Sequence, residues 1–472
     1  MKTFITVGIL LATLAVHAAD LTNAAPAATD VSARGSRLLR PLSLAEALDL
    51  ALQQNGSVRK SQAQLEATYG VSVQTRAIAL PKLGVNGSYG ANQESSIDRF
   101  RSTAGNSTNS FLTDAFDYSN QRWNADVRLT QSIYEGGRIN ASLRAARLSR
   151  EQALLNHQSV LSDVMRDVRV AYYDALLAQQ LISVEEASVK LLQQELDETM
   201  RRFEAGTVPR FNVLRAEVAV ANERPLLIRA RNAFSVAKDT IAFLVGEREP
   251  HTTSELPLIL TDRLEAPRME LPLTNALALA LENRTELAAL RKGEALQVEN
   301  IASAKSGARP SVQLFAGYGS KSSQFNSDLL EELHGWEVGA QLSWSLFDGF
   351  LTKGRVQEAV ALRTKAQEEL FEAMRRVELD VRAAHSSFIE AREVLISQDK
   401  VQESAEESLR LATARSAAGS ATQLDVLNAQ TALTQARSTQ ARALRDYAVA
   451  HTRLERAIGP VVSRATNAPA GK

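Results

Sequence analysis

Two periodicities divide the chain. Leu83, Val85 and Tyr89 alternate with Gly84, Asn86 and Ser88, and Trp123, Ala125, Val127, Leu129 and Ile133 alternate with Asn124, Asp126, Arg128, Thr130 and Ser132. The same alternation returns at Val312, Leu314, Ala316 and Tyr318, and again at Trp336, Val338, Ala340, Leu342, Trp344 and Leu346. Period two marks a strand with one apolar and one polar face, so four two-faced strands of about ten residues are predicted, the length a tilted strand needs to cross a bilayer. All three Trp fall within them. Elsewhere the period is seven. From Arg138 to about Glu204 there is no Pro or Gly, and Leu154, Leu161, Val168, Ala175, Ile182, Val189, Leu196 and Phe203 recur along one seam. Val164, Ala171, Ala178 and Leu192 mark a second seam. Such heptads predict a coiled-coil helix roughly 100 Å long. A second long helix is predicted from about Lys353 to Ala418, with Met374, Val381, Phe388 and Leu395 on its seam.

The chain also resembles itself. Leu42 to Leu52 matches Leu271 to Leu281 at an offset of 229 residues, and Pro81 with Pro310 and Tyr89 with Tyr318 hold that offset. Leu129 to Gly136 matches Leu342 to Gly349 at an offset of 213, which Gly206 with Gly419 and Gly246 with Gly459 keep. The length change falls between Tyr89 and Leu129, as expected of a surface loop. An internal two-fold repeat follows, each copy reading helix, two strands, very long helix, turn, helix. Ser43-Leu44-Ala45-Glu46 is a capping box opening the first helix, predicted to run to about Ala79 before Pro81. Ala91 to Gln121 and Ser320 to Gly335 read as the loops between strands. Gly206 and Gly419 end the long helices, and Ser420-Ala421-Thr422-Gln423 is read as a capping box for the last helix. Pro225, whose partner is Ser438, predicts a kink in one hairpin only.

Composition places this pattern in a compartment. Lys2, an apolar run from Phe4 to Val16 and the small-residue site Val16-His17-Ala18 form a secretory signal, residues 1–18. Residues 19–40 read as a mobile leader, 41–246 as the first repeat, 247–271 as a linker or equatorial belt, 272–459 as the second repeat and 460–472 as a tail. No later stretch is apolar for the roughly 20 residues of a transmembrane helix, so any crossing is left to strands. Four strands cannot close a barrel, and an open edge in lipid leaves backbone groups unsatisfied. Three chains supply twelve strands with room for a lumen, whereas two fill their interior.

The fold class is therefore mixed α and β. Long antiparallel coiled-coil hairpins are predicted to close, three chains together, as an α-barrel, and four transmembrane β-strands per chain as a trimeric 12-stranded β-barrel. The 54 basic and 54 acidic residues cancel, which argues against nucleic acid as a partner. No Cys is present, and the six His (His17, His157, His251, His334, His385, His451) are scattered, so no metal site, cofactor or catalytic constellation is predicted. Ser57-Val58-Arg59-Lys60 fits a Ser-x-x-Lys pattern by chance. The chain reads as no enzyme.

The paired turns Gly206-Thr207-Val208-Pro209-Arg210-Phe211-Asn212-Val213-Leu214 and Gly419-Ser420-Ala421-Thr422-Gln423-Leu424-Asp425-Val426-Leu427, with Gly136-Gly137 or Gly349 after each strand pair, closely resemble those of the TolC-like outer-membrane efflux proteins. The likeness spans Leu42 to Gly459. It implies a homotrimer in outer-membrane lipid with a long periplasmic part, serving as the passive conduit of a tripartite efflux pump or type I secretion system. It further implies that the hairpin tips (Gly206, Thr207, Asn212, Leu214, Gly419, Ser420 and Leu427) dock a periplasmic adaptor, and through it an inner-membrane pump. Asp425 matches the acidic ring at the periplasmic entrance, while Asn428 stands where a second acidic ring is expected. A periplasmic adaptor has long hairpins without membrane strands, and a trimeric adhesin places its anchor strands together at the C-terminus. Strands split between two halves fit neither.

Overall fold

Asn55 decides how the first half begins. In the computed structural model, which describes residues 41–93, 121–247, 258–264, 271–322 and 332–459, the single helix expected from Ser43 to Ala79 is two. Helix α1 (Leu44–Gln54) opens on the predicted Ser43/Glu46 box and stops at Asn55, whose backbone is extended at ψ 133. The Asn55 side chain accepts from the N–H groups of Ser57 and Val58 and so caps α2 (Gly56–Arg76). A short 3-10 turn (Ala77–Ala79) then leads to the strands. An internal Asn with two free donors ahead of it competes with helix propagation, which a capping signal alone does not reveal.

Ahead of α1 lies β1 (Pro41–Leu42); beyond the turn come β2 (Lys82–Ala91), β3 (Gln121–Glu135), α3 (Arg138–Glu204) and α4 (Arg210–Val245). Strand β4 (Ile259–Leu260) is followed by α5 (Leu273–Asn283), α6 (Thr285–Lys305), a 3-10 turn, β5 (Ser311–Ser322), β6 (Glu332–Ser343), α7 (Leu351–Ala417) and α8 (Gln423–Ile458). The helices of the two halves match in length, at 11, 21, 67 and 36 residues. The signal, the leader and the tail lie outside the described residues.

Strands β2, β3, β5 and β6 form one antiparallel sheet in that order, with β2 and β6 at its edges. Register aligns whole rows. Val85, Val127, Tyr318 and Trp336 face one another across the sheet, as do Leu83, Leu129, Ala316 and Val338. The next rows carry Asn86, Asp126, Gly319 and Gly335, then Gly84, Arg128, Gly317 and Glu337. One face is therefore apolar and the other polar. Strand β6 ends at Ser343, so Trp344 and Leu346 lie beyond the strand that was expected to hold them. Trp344 instead donates its indole N–H to the carbonyl of Ala308.

The helices pack as two hairpins, α3 with α4 and α7 with α8, joined through α3 against α8. Val164, Val168, Ala171, Ala175 and Ala178 are buried on α3, but Leu154 and Phe203, at the ends of the expected main seam, are exposed. Helix α3 meets α1, α2, α4, α6 and α8 along its length, so its buried face rotates from one partner to the next, bringing in Tyr172, Leu176, Ser188 and Thr199. On α7, Val381 and Phe388 are buried as the seven-residue spacing predicts. Helix α4 continues through Pro225, which removes one N–H from the ladder without ending the element.

Part of the linker is strapped to the first half. β4 pairs in parallel with β1, and the Asp262 carboxylate accepts from the Leu44 N–H at 2.7 Å and the Tyr172 hydroxyl at 3.0 Å. Burial, together with Asp262, pushes the Tyr172 phenol up to about 12.

Candidate functional site

The two helical hairpins end in turns built by the same bonds. At the first, Gly206 adopts a φ of 74° and its N–H reaches the carbonyl of Phe203, while Thr207 donates both its N–H and its hydroxyl to the carbonyl of Arg202. At the second, Gly419 adopts a φ of 73°, and Ser420 donates its N–H and hydroxyl to Arg415. Left-handed glycine lets the chain reverse while the last carbonyls stay bonded. Gly206, Thr207, Gly419, Ser420 and Leu214 are exposed, and Asn212 is half-buried.

The restarts differ. Helix α4 begins after Pro209 with no side-chain cap, whereas Thr422 caps α8. The Thr422 N–H and hydroxyl donate to Asp425 Oδ2 at 2.8 and 2.7 Å, and Thr422 Oγ1 accepts from the Asp425 N–H. The cap is thus Thr422 with Asp425, two residues beyond the predicted Ser420 box, because the Ser420 hydroxyl is already committed to closing the preceding helix. These bonds from Thr422, with Arg415 nearby, hold the exposed Asp425 carboxyl below its usual range, so it stays ionised at neutral pH. Asn212 occupies the equivalent place on the first tip, so only the second carries charge there. Asn428 is exposed one turn along.

Leu427 is a correction. It was expected among the docking residues, yet it is buried against Leu192 and Val220, with Leu196 and Ala219 alongside. It joins the two hairpins and leaves nothing to present outward. Gln423 reinforces that joint by donating to Glu195 and Thr199.

Farther up, arginines of α8 and α3 bind the hairpins together: Arg445 to Asp174 at 2.6 Å, Arg169 to Glu455 at 2.6 Å, and Arg456 to Asp163 at 2.9 Å and to Glu286. None of these pairs was expected, since each joins residues remote in sequence. Among the described residues no group of three or more His, Cys, Asp or Glu could hold a metal, and no helix is long and apolar enough to cross a membrane.

Residues 47–247 and 276–460 match the family described as outer membrane efflux protein. The chain belongs to this family. It is 24% identical to the outer membrane protein TolC of Escherichia coli over 89% of this chain and 83% of the relative. It is 28% identical to the alkaline protease secretion protein AprF of Pseudomonas aeruginosa over 64% of this chain and 63% of AprF. The solved structure of the outer-membrane channel OprN shares its fold, at a TM-score of 0.73 and 20% identity, covering 88% of this chain and 89% of that one. This outer membrane efflux protein is accordingly a TolC-like channel of the outer membrane with a periplasmic part.

Proposed function

We propose that three copies of the chain close a twelve-stranded barrel and a hollow helical cylinder, forming a passive export conduit that docks a periplasmic adaptor linked to an inner-membrane pump. The observation that carries this reading is the state of the sheet in a single chain. Among the described residues both edge strands lack a partner on their outer side, and the apolar face is bare: Trp336 is 78% exposed, Leu83 71% and Val338 70%. Lipid covers such a face and a neighbouring copy satisfies each edge. Pairing β2 of one copy with β6 of the next is a heterologous contact that closes as a ring. The outer helices agree with this, because α4 exposes Phe243 and Ile228 while α7 exposes Leu379 and Phe371.

In this reading residues 1–18 are removed on export, residues 247–271 belong to a belt around the cylinder, and residues 41–246 and 272–459 are two copies of one unit. Asp425 of three chains forms a ring of like charge at the periplasmic entrance, and the neutral Asn428 leaves it a single ring. The adaptor meets Gly206, Thr207, Asn212, Leu214, Gly419 and Ser420.

Glu in place of Gly206 and Gly419 tests the docking. An added Cβ at either glycine meets nothing within 4 Å, so the cost is confined to the left-handed backbone, about 1–2 kcal/mol per site. Site-specific crosslinking to the adaptor is expected to be lost while yield and oligomeric mass stay unchanged. Crosslinking as strong as in the parent would remove the tips from the interface.

A further inference from the structure

The polar face of the sheet holds a built feature that neither the docking tips nor the Asp425 ring explains. Gly317, Gly319 and Gly335 place no side chain on that face and leave a trough of about 410 Å³ walled by Asp126, Arg128, Lys321 and Glu337. The Phe315 ring reaches over Gly339, where an added Cβ would stand 2.5 Å from its Cζ. Arg128 stacks on that ring at 4.3 Å from its centroid, which props the guanidinium over the trough. Its ion pair with Glu337 is long, at 3.7 Å, and among the described residues its Nε has no hydrogen-bond partner. Asp126 accepts from Asn86 at 3.0 Å, and among the described residues Lys321 has no ion pair.

Charge on this face is unbalanced. Register places Lys82, Arg122, Arg128 and Lys321 on it against Asp126 and Glu337, while Glu135 at its base is paired with Arg138. Two positive charges per chain remain.

We propose that Arg128 and Lys321 form an anion-preferring collar inside the barrel, with Phe315 and Gly339 as the support that holds Arg128 in place. This rests on the trimeric-channel reading, in which the polar face lines the lumen. With Lys82 and Arg122 on the same face offsetting the charges of Asp126 and Glu337, three copies carry a net six positive charges along a confined aqueous path, which raises the local concentration of permeant anions. Export would then meet opposite fields at its two ends, negative at the Asp425 entrance and positive in the barrel.

Reversal potentials of the purified full chain in a planar bilayer across a KCl gradient test this. Arg128→Gln is expected to lower the chloride-to-potassium permeability ratio by about two- to fourfold, the effect of one nearby charge in screened water. Arg128→Lys is expected to keep the parent ratio, and adding Lys321→Gln to Arg128→Gln to lower it further. Asp425→Asn should move the ratio the other way and weaken block by multivalent cations. An Arg128→Gln channel that conducts with the parent ratio would overturn the collar. A parent chain that forms no channel would instead strike the trimeric reading, and an Asp425→Asn channel with unchanged cation block would remove the entrance ring alone.

Discussion

Gly246→Ala is expected to destabilise the protein by about 3 kcal/mol or more, and Gly206→Ala by no more than about 1–2 kcal/mol, although both glycines are left-handed. Gly246 has a φ of 84° and ends α4. A Cβ there would stand 2.5 Å from the carbonyl oxygen of Gln54 and 3.0 Å from the Asn55 nitrogen, both backbone atoms at the break between α1 and α2. Neither can swing aside. The same break is held by Asn55 Nδ2, which donates to the carbonyl of Leu244 at 2.7 Å, so separating the two segments also costs that bond. Gly206 shares the dihedral strain and meets nothing. Thermal unfolding in detergent of the two variants therefore separates close packing from backbone strain. Equal losses would mean that α4 does not end against the α1–α2 corner.

The second half solves the same problem with another residue. Arg284 breaks α5 from α6 and donates its Nε to the carbonyl of Ala457 at 2.8 Å, and Gly459 packs on Asn283 and Arg284. The shared geometry explains why the glycines keep their spacing while Asn55 and Arg284 differ: the backbone approach tolerates only Gly, whereas the donor can be any side chain that reaches.

Arg456→Met is expected to cost about 2–3 kcal/mol at pH 7, and the deficit is expected to shrink as pH falls toward 4. Arg456 is 11% exposed and joins Asp163 of α3 to Glu286 of α6. A fully buried pair that loses one partner forfeits about 3–5 kcal/mol; here both acids keep a third or more of their exposure, which screens the loss. Burial pushes the Glu286 carboxyl up, but the hydrogen bond and charge of Arg456 outweigh it and hold it below 4.5. The pairing therefore stabilises the fold in full above pH 4.5 and loses its contribution as pH falls through the lower folded value. In the variant, burial keeps its upward push on the carboxyl and is opposed only by the hydrogen bonds from the Ser159 hydroxyl and the Glu286 backbone, so acidification relieves part of the penalty. Urea unfolding of parent and variant at pH 7 and pH 4 reads the difference. A gap independent of pH would show that Arg456 acts by packing alone.

How far the sequence led depends on whether the cause was local. The bounds of α3 were legible because Gly137 before it and Gly206 after it are left-handed stops with no breaker between. Strand faces were legible because alternation is a property of each strand, and register then only had to align like with like. The polar cluster of Arg128, Phe315 and Glu337 was not, since it exists only once three strands lie in register. Arg456 was hidden for the same reason, with partners 293 and 170 residues away. Leu427 misled because its motif position marks the tip, whereas its exposure is decided by the other hairpin. Ser420 and Thr422 are both competent caps, and only the turn's own bonds to Arg415 decide between them.

The most direct test is the mass and conductance of the protein extracted from an outer-membrane fraction in mild detergent. A stable trimer that conducts in a planar bilayer is the expected result; a monomer or dimer without conductance would contradict the closed barrel.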